Sequence, residues 1–281
     1  MKPTVVNALS VDVEEYYHAV VFREGTRGIP GHAFLSRVEE SVGRILALFA
    51  KRNVRATFFV LGEVAGGHPA MVRKIAREGH EVACHGDRHE LVCRLTPPEF
   101  RADVRRAKRL LEDLTGQPVV GYRAPNYSIG RRESWAYDVL LEEGFRYDSS
   151  VYPILHDRYG QPGAARFPHA IRRNGREHLI EFPIGTARFL GLNLPIGGGG
   201  YFRLLPFAVI RYGIRRVNAR EGQPIMFYLH PWELDPGQPR PPMPWRHRFR
   251  HYVGLRTMEA KLTSLLRRFR FSTAQDVLGI R

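Results

Sequence analysis

Two histidines four positions apart, in His85-Gly-Asp-Arg-His89, are the residues of this chain best suited to chemistry. If the segment turns like a helix, both imidazoles can face one point in space. A carboxylate from Asp12-Val-Glu14, near the N-terminus, would complete a three-ligand set with open positions for water. That is the construction of a hydrolytic metal centre. Further along come Arg123-Ala-Pro-Asn-Tyr127 and Leu229-His230-Pro-Trp232-Glu233, each an Arg or His beside rigid punctuation. Taken in this order, the four motifs point to a metal-dependent hydrolase.

Each residue also has a plainer reading. His85 and His89 alone could be a hydrogen-bonded core pair, and three further polar groups at strand ends argue against that. Cys84 and Cys93 flank the pair and suggest a Cys/His zinc knuckle. Successive strand side chains point to opposite faces, however, so Cys84 and His85 do not face one ion. Arg123 could be a surface ion-pair partner. With Pro125 fixing the backbone after it, it is equally placed to aim inward and hold a carboxylate ionised. His230, before Pro-Trp at a strand end, is a core histidine or an acid. His18, His80, His156, His169 and His178 read as structural or exposed.

The elements that must position these groups follow from periodicity. Thr4 to Val11 reads as a buried strand that delivers Asp12 and Glu14 on one face. Val54 to Leu61, Gly79 to Cys84, Val119 to Tyr122, Phe145 to Asp148 and Ile225 to Leu229 read as further strands. Helical patterns run over Phe34 to Lys51, His68 to Glu78, Glu99 to Leu114 and Glu133 to Glu143, with Thr96-Pro97-Pro98-Glu99 resembling a capping box. Strand and helix alternate about four times over the first 150 residues, which argues a parallel α/β architecture. Every candidate group falls just after a predicted strand, so a parallel barrel would gather them at its C-terminal rim. From 151 to 222 the pattern weakens into a loop-rich insertion, with Gly197 to Gly200 as a turn or a loop facing substrate. A proline-rich stretch, 236–244, precedes a last helix at about 255–270. The expected organisation is one catalytic domain over 1–235, with 236–281 packed on it.

The chain has 281 residues, 43% of them hydrophobic, enough for one barrel-sized core. It holds no apolar run of about 18 or more residues, and neither a membrane span nor a signal peptide is expected. Two cysteines cannot build a disulfide framework, so a reducing cytoplasm fits best, with attachment at the inner face of a membrane left open. The net charge is +15, and residues 201–281 carry 15 Lys/Arg against 5 Asp/Glu. Such a field attracts an anionic glycan or an acidic membrane surface, or it is only a solvated basic face. No nucleic-acid motif accompanies it.

Asp12-Val-Glu14, His85-x-x-x-His89, Arg123-x-Pro-x-Tyr127 and Leu229-His230-Pro resemble the successive motifs of the NodB-homology polysaccharide deacetylases, carbohydrate esterase family 4. Ser10-Val-Asp-Val-Glu-Glu-Tyr-Tyr-His18, Tyr147-Asp-Ser-Ser-Val-Tyr-Pro153, Gly198-Gly-Gly-Tyr-Phe-Arg203 and Phe227-Tyr-Leu-His-Pro-Trp-Glu233 are similar to the subgroup associated with exosortase and exopolysaccharide loci. The resemblance implies a deformed (β/α) barrel that removes acetyl groups from N-acetylated sugars with a divalent metal, zinc first, with cobalt, manganese or nickel as alternatives. It implies Asp12 as catalytic base, Arg123 as its partner and His230 as acid. Glu14, His85 and His89 would hold the metal; Pro125, Tyr127, Asp148, Tyr201 and Trp232 would line the substrate site. A backbone N–H near Tyr127 would help to hold the oxyanion.

The chain departs from the family pattern where an adjacent Asp-Asp pair is usual. Here Asp12 and Glu14 are separated by Val13, a spacing shared with related enzymes acting on ureides or imides, and Glu15 is the alternative ligand. The Asp that orients the acidic histidine has no obvious counterpart, and Asp148 is the candidate. Besides an N-deacetylase of a polysaccharide or its lipid-linked precursor, two readings stay open: a C–N hydrolase of a small ureide or imide, and a non-catalytic glycan-binding or polyanion-binding protein.

Overall fold

The structure, a computed structural model, describes residues 5–27, 29, 34–173 and 177–280. Thr4 and the side chain of His178 lie outside the described residues. Strand β1 (Val6–Val13) is buried at seven of its eight positions. Such continuous burial means that the sheet is covered on both faces, as parallel sheets are. β2 (Thr57–Val60), β3 (Glu81–Cys84), β4 (Gly121–Tyr122) and β5 (Tyr147–Asp148) follow in order beside it, all parallel. The hairpin of β6 (His169–Arg173) and β7 (Glu177–Glu181) extends that side, with β7 parallel to β5 and antiparallel to β6. β8 (Thr186–Phe189) and β9 (Leu192–Pro195) form a separate hairpin. β10 (Met226–Leu229) and β11 (Arg270–Ser272) both pair with β1 in parallel. The result is a curled, open (β/α) barrel.

Helices cover the sheet where the pattern placed them. Val38–Arg52 buries Val42, Ile45, Leu46 and Phe49, and Pro69–Arg77 buries Val72 and Ile75. Pro97–Thr115 begins at a capping box in which the Thr96 amide donates to Glu99 Oε2 (2.8 Å), and it stops at Gly116 in the left-handed region. Leu255–Leu266 sends Met258, Leu262 and Leu265 into the same core as β1 and β10. No helix among the described residues is long and apolar enough to cross a membrane.

Residues 151–222 correct the expectation of a loop-rich insertion, since they hold both hairpins and the helices Gly199–Leu204 and Phe207–Arg216. The glycine run hides a helix start because two of its members must lie against Tyr228. Gly198, at φ 112°, sits where an added Cβ would meet the Tyr228 carbonyl oxygen at 1.9 Å, and at Gly199 it would meet the Tyr228 hydroxyl at 2.1 Å. Gly198→Ala combines a backbone reserved for glycine with overpacking, and should cost about 2–4 kcal/mol. A thermal or urea unfolding midpoint unchanged by Gly198→Ala would refute this reading.

Candidate functional site

The parallel strands place Asp12, His85, Arg123 and His230 at one end of the sheet, each at or just beyond the C-terminal end of β1, β3, β4 or β10. Beyond β1 the chain makes a tight turn, the Glu14 amide donating to the Asp12 carbonyl (3.0 Å). Asp12 and Glu14 both border the same cavity. Arg123, fully buried, donates from Nη1 to Asp12 Oδ1 (2.5 Å) and to Ser10 Oγ (2.9 Å), and from Nη2 to Ser149 Oγ (2.9 Å). Its guanidinium also lies over the Phe59 ring at 4.1 Å. A planar, multiply anchored cation of this kind fixes the aim of its carboxylate.

The two histidines reach each other without a helix, which corrects the sequence reading. Residues 85–89 form a loop with Gly86 at φ 83° and His89 at φ 54°. Asp87, at the middle of this loop, takes Arg106 Nε on its carboxylate (2.8 Å) and donates its amide to Asp103 Oδ2 (2.9 Å). Helix Pro97–Thr115 thus clamps the loop from outside. One atom each of Glu14, His85 and His89 lies within 4.8 Å of the others, and all three residues are buried. His85 Nδ1 is 2.8 Å from the Arg123 carbonyl, so it carries the proton and leaves Nε2 free to ligate. Glu14 Oε2 is 2.7 Å from His89 Nε2 without forming a hydrogen bond, the posture of two donors aimed at a common cation. Burial pushes His85 down to about 4, which keeps it neutral as a ligand must be. Burial works to raise Glu14, yet His89 and His230 outweigh it and hold the carboxyl well below its usual range. These residues fit a divalent metal by donor type, number and burial.

Glu15 is not with them. Its carboxylate accepts from the Arg37 and Val38 amides (3.1 and 3.3 Å), at the start of helix Val38–Arg52. His18 is buried against His89, ring centroids 5.9 Å apart, accepting the Glu15 amide on Nδ1, and it is structural. Cys84 is buried and Cys93 exposed, and neither joins the cluster.

His230 stands opposite, its Nε2 3.1 Å from Glu14 Oε1. Asp148 does not orient it: that carboxylate is buried with Ser150, accepting its hydroxyl at 2.6 Å. Glu233 occupies the place instead. It accepts the His230 amide on Oε2 (3.0 Å), lies 3.4 Å from His230 Nδ1, and takes Arg203 Nε on Oε1 (2.6 Å). Burial works to lower His230, but Glu14 and Glu233 win and raise it to about 10. Arg203 and His230, against burial, hold Glu233 down to about 2. The Trp232 ring stacks on His230 at 5.0 Å and His251 on Trp232 at 4.7 Å.

Asp12, Glu14, His85, His89, His230, Glu233 and Arg203 border a cavity of about 480 Å³ that includes Tyr127, Tyr201 and Trp232 in its walls, and Asp148 lies outside it. Pro125 is buried beside Gly86 instead, and the Tyr127 amide is occupied, donating to Ala124 (3.0 Å), so it is not a free oxyanion donor. Asn126 and Tyr127 both adopt positive φ (52° and 54°), a strained pair that turns the chain along the cavity wall. Sequence reasoning missed Glu233, Arg203 and His251. Glu233 had a signal, three residues after His230 in a capping pattern; Arg203 lay in a quoted motif without a role, and His251 had none.

Residues 30–140 match the family model described as polysaccharide deacetylase, and 149–279 one described as a domain of unknown function, DUF3473. The chain is 32% identical over 113 residues to the peptidoglycan deacetylase of Helicobacter pylori, covering 40% of this chain and 38% of that protein. It is 28% identical over 128 residues to a chitooligosaccharide deacetylase of a Bradyrhizobium species, covering 45% and 56%. Less than two thirds of either relative's length is therefore spanned. In fold it is similar to a Mycobacterium smegmatis crystal structure described as a "putative polysaccharide deacetylase", with TM-score 0.64, 22% identity, and coverage of 100% of this chain and 91% of that one. That likeness extends the shared barrel to the whole chain, and residues 30–140 are similar to the polysaccharide deacetylases.

Proposed function

We propose that this protein hydrolyses the acetamide of an N-acetylated hexosamine in a glycan or its precursor, releasing acetate and leaving a free amine. The observation that carries the reading is one cavity holding an Arg-anchored carboxylate, Asp12, beside the Glu14–His85–His89 cluster, with His230 across from them, its Nε2 3.1 Å from Glu14. A divalent ion held by Glu14, His85 and His89 would acidify a water and polarise the acetyl carbonyl. Asp12 accepts the proton of the attacking water, and Arg123 keeps that carboxylate aimed. As the water oxygen bonds to the acetyl carbon and the C–N bond breaks, His230 gives its proton to the departing nitrogen, which is otherwise a poor leaving group. Trp232 fixes the plane of the His230 ring, and Glu233 faces its other nitrogen.

In the same reading, residues 1–235 are the catalytic domain and 236–281 an extension that closes the cavity with Phe249, Arg250 and His251. The motif runs Ser10–His18 and Gly198–Arg203 favour an enzyme of exopolysaccharide synthesis, and the basic surplus over 201–281 favours an acidic glycan or surface as partner. The metal-loaded chain incubated with N-acetylglucosamine oligomers should release acetate. A His85→Ala, His89→Ala double variant should lose both the bound metal, by elemental analysis, and the acetate. Full metal occupancy in that variant would rule the cluster out. A metal-loaded wild type that releases no acetate from any N-acetylated glycan would move the reading to the small ureide or imide.

A further inference from the structure

We propose that helix Trp245–Tyr252 carries a second sugar subsite, so that the natural substrate is a chain whose neighbouring unit stacks on Trp245 while the acetylated unit lies at His230. This rests on the deacetylase reading and specifies its substrate as an oligomer. Trp245 is 72% exposed and Phe249 51%, although the tryptophan that faces the site, Trp232, is buried. The two exposed rings are four residues apart, on one side of the helix, and Arg246 and Arg250 follow them by one position. Trp245, Arg246, His247 and four further residues border a hollow of about 540 Å³. Four of these, Asp157, Arg158, Phe249 and Arg250, also border the central cavity, so the hollow lies directly beside it.

The lining fits a pyranose. A sugar ring presents C–H groups on its faces, which lie well on the electron-rich face of an indole or phenyl ring, and hydroxyls at its edge, which need donors and acceptors. The Asp157 carboxylate and the Arg250 guanidinium supply both, 3.0 Å apart and half exposed at the wall of the hollow. An acidic lipid surface would meet the Asp157 charge, and it would meet a recess where a protruding apolar tip is needed. The helix is held rigidly, as a subsite requires: Arg203 Nη1 donates to the His251 and Val253 carbonyls (2.8 Å each), and His251 Nε2 pairs with Gln238 Oε1 (2.8 Å).

The test compares a single N-acetylglucosamine with its tetramer, on wild type, Trp245→Ala and Trp245→Phe, all metal-loaded. The tetramer should quench tryptophan fluorescence in wild type, and Trp245→Ala should abolish that change. The ratio of kcat/KM for tetramer over monomer should fall about tenfold in Trp245→Ala, equivalent to about 1.4 kcal/mol of lost stacking, and Trp245→Phe should recover most of it. An unchanged ratio, or wild-type fluorescence that the tetramer does not move, overturns the subsite. So does sedimentation with phosphatidylserine vesicles that requires Trp245 while the tetramer leaves fluorescence unmoved. If wild type releases acetate from neither sugar, the deacetylase reading fails, and the fluorescence titration still decides the subsite.

Discussion

Asp12→Asn should keep the metal and lose the reaction, with acetate release falling by about 10²–10⁴-fold, the usual contribution of a positioned base. Asp12 lies on Arg123 and outside the Glu14–His85–His89 cluster, so its amide isostere leaves that cluster intact while removing the proposed acceptor of the water's proton. Glu14→Gln should do the reverse. It removes an anionic donor, so metal content falls first and part of the activity returns at excess metal. Removing the charge of Asp12 also leaves the fully buried Arg123 without a counter-ion, an imbalance that costs on the order of 3–5 kcal/mol. Rates for Asp12→Asn therefore belong to folded protein, below a lowered unfolding midpoint. Activity restored in Asp12→Asn by added metal would show that the two carboxylates have exchanged roles.

What made this site readable was the parallel sheet. Once strands were assigned from apolar runs, Asp12, His85, Arg123 and His230 had to share a rim, whatever their distance in sequence. The route by which His89 joins them was not readable. Helical spacing suggested itself, but the segment is a loop with two left-handed residues, held by Asp103 and Arg106 from a helix packed outside. Local sequence does not carry that long-range clamp. Asp148 was a candidate because it sits in a quoted motif, yet its carboxyl is taken by Ser150 two residues on. Helix Trp245–Tyr252 escaped notice for a different reason. Trp245 and Phe249 are exposed and only its last turn, His251 and Tyr252, is buried, so no buried stripe at helical period marks it.

The division of labour between the two matched segments leads to the other large effect. His85, His89 and Arg123 fall within the polysaccharide deacetylase match, whereas His230, Glu233 and Arg203 fall within the domain of unknown function. In the proposed mechanism the acid half of the site is thus built by the second segment, and its centre is the pair Arg203–Glu233, both nearly sealed from solvent. Glu233→Gln keeps the size but removes the charge facing His230. Its single oxygen can accept from only one of the His230 amide and Arg203 Nε, so its rates belong to folded protein below a lowered unfolding midpoint. Amide hydrolysis should fall by about 10²-fold or more, within the range for a misaligned general acid. An aryl acetate ester, whose phenolate departs without help from an acid, should be cleaved at nearly the wild-type rate. Arg203→Met goes further. It strands the Glu233 charge and frees the 250–253 backbone, so a stability loss of about 3–5 kcal/mol joins the loss of amide hydrolysis. Equal losses on ester and amide in Glu233→Gln would mean that Glu233 only holds the wall together.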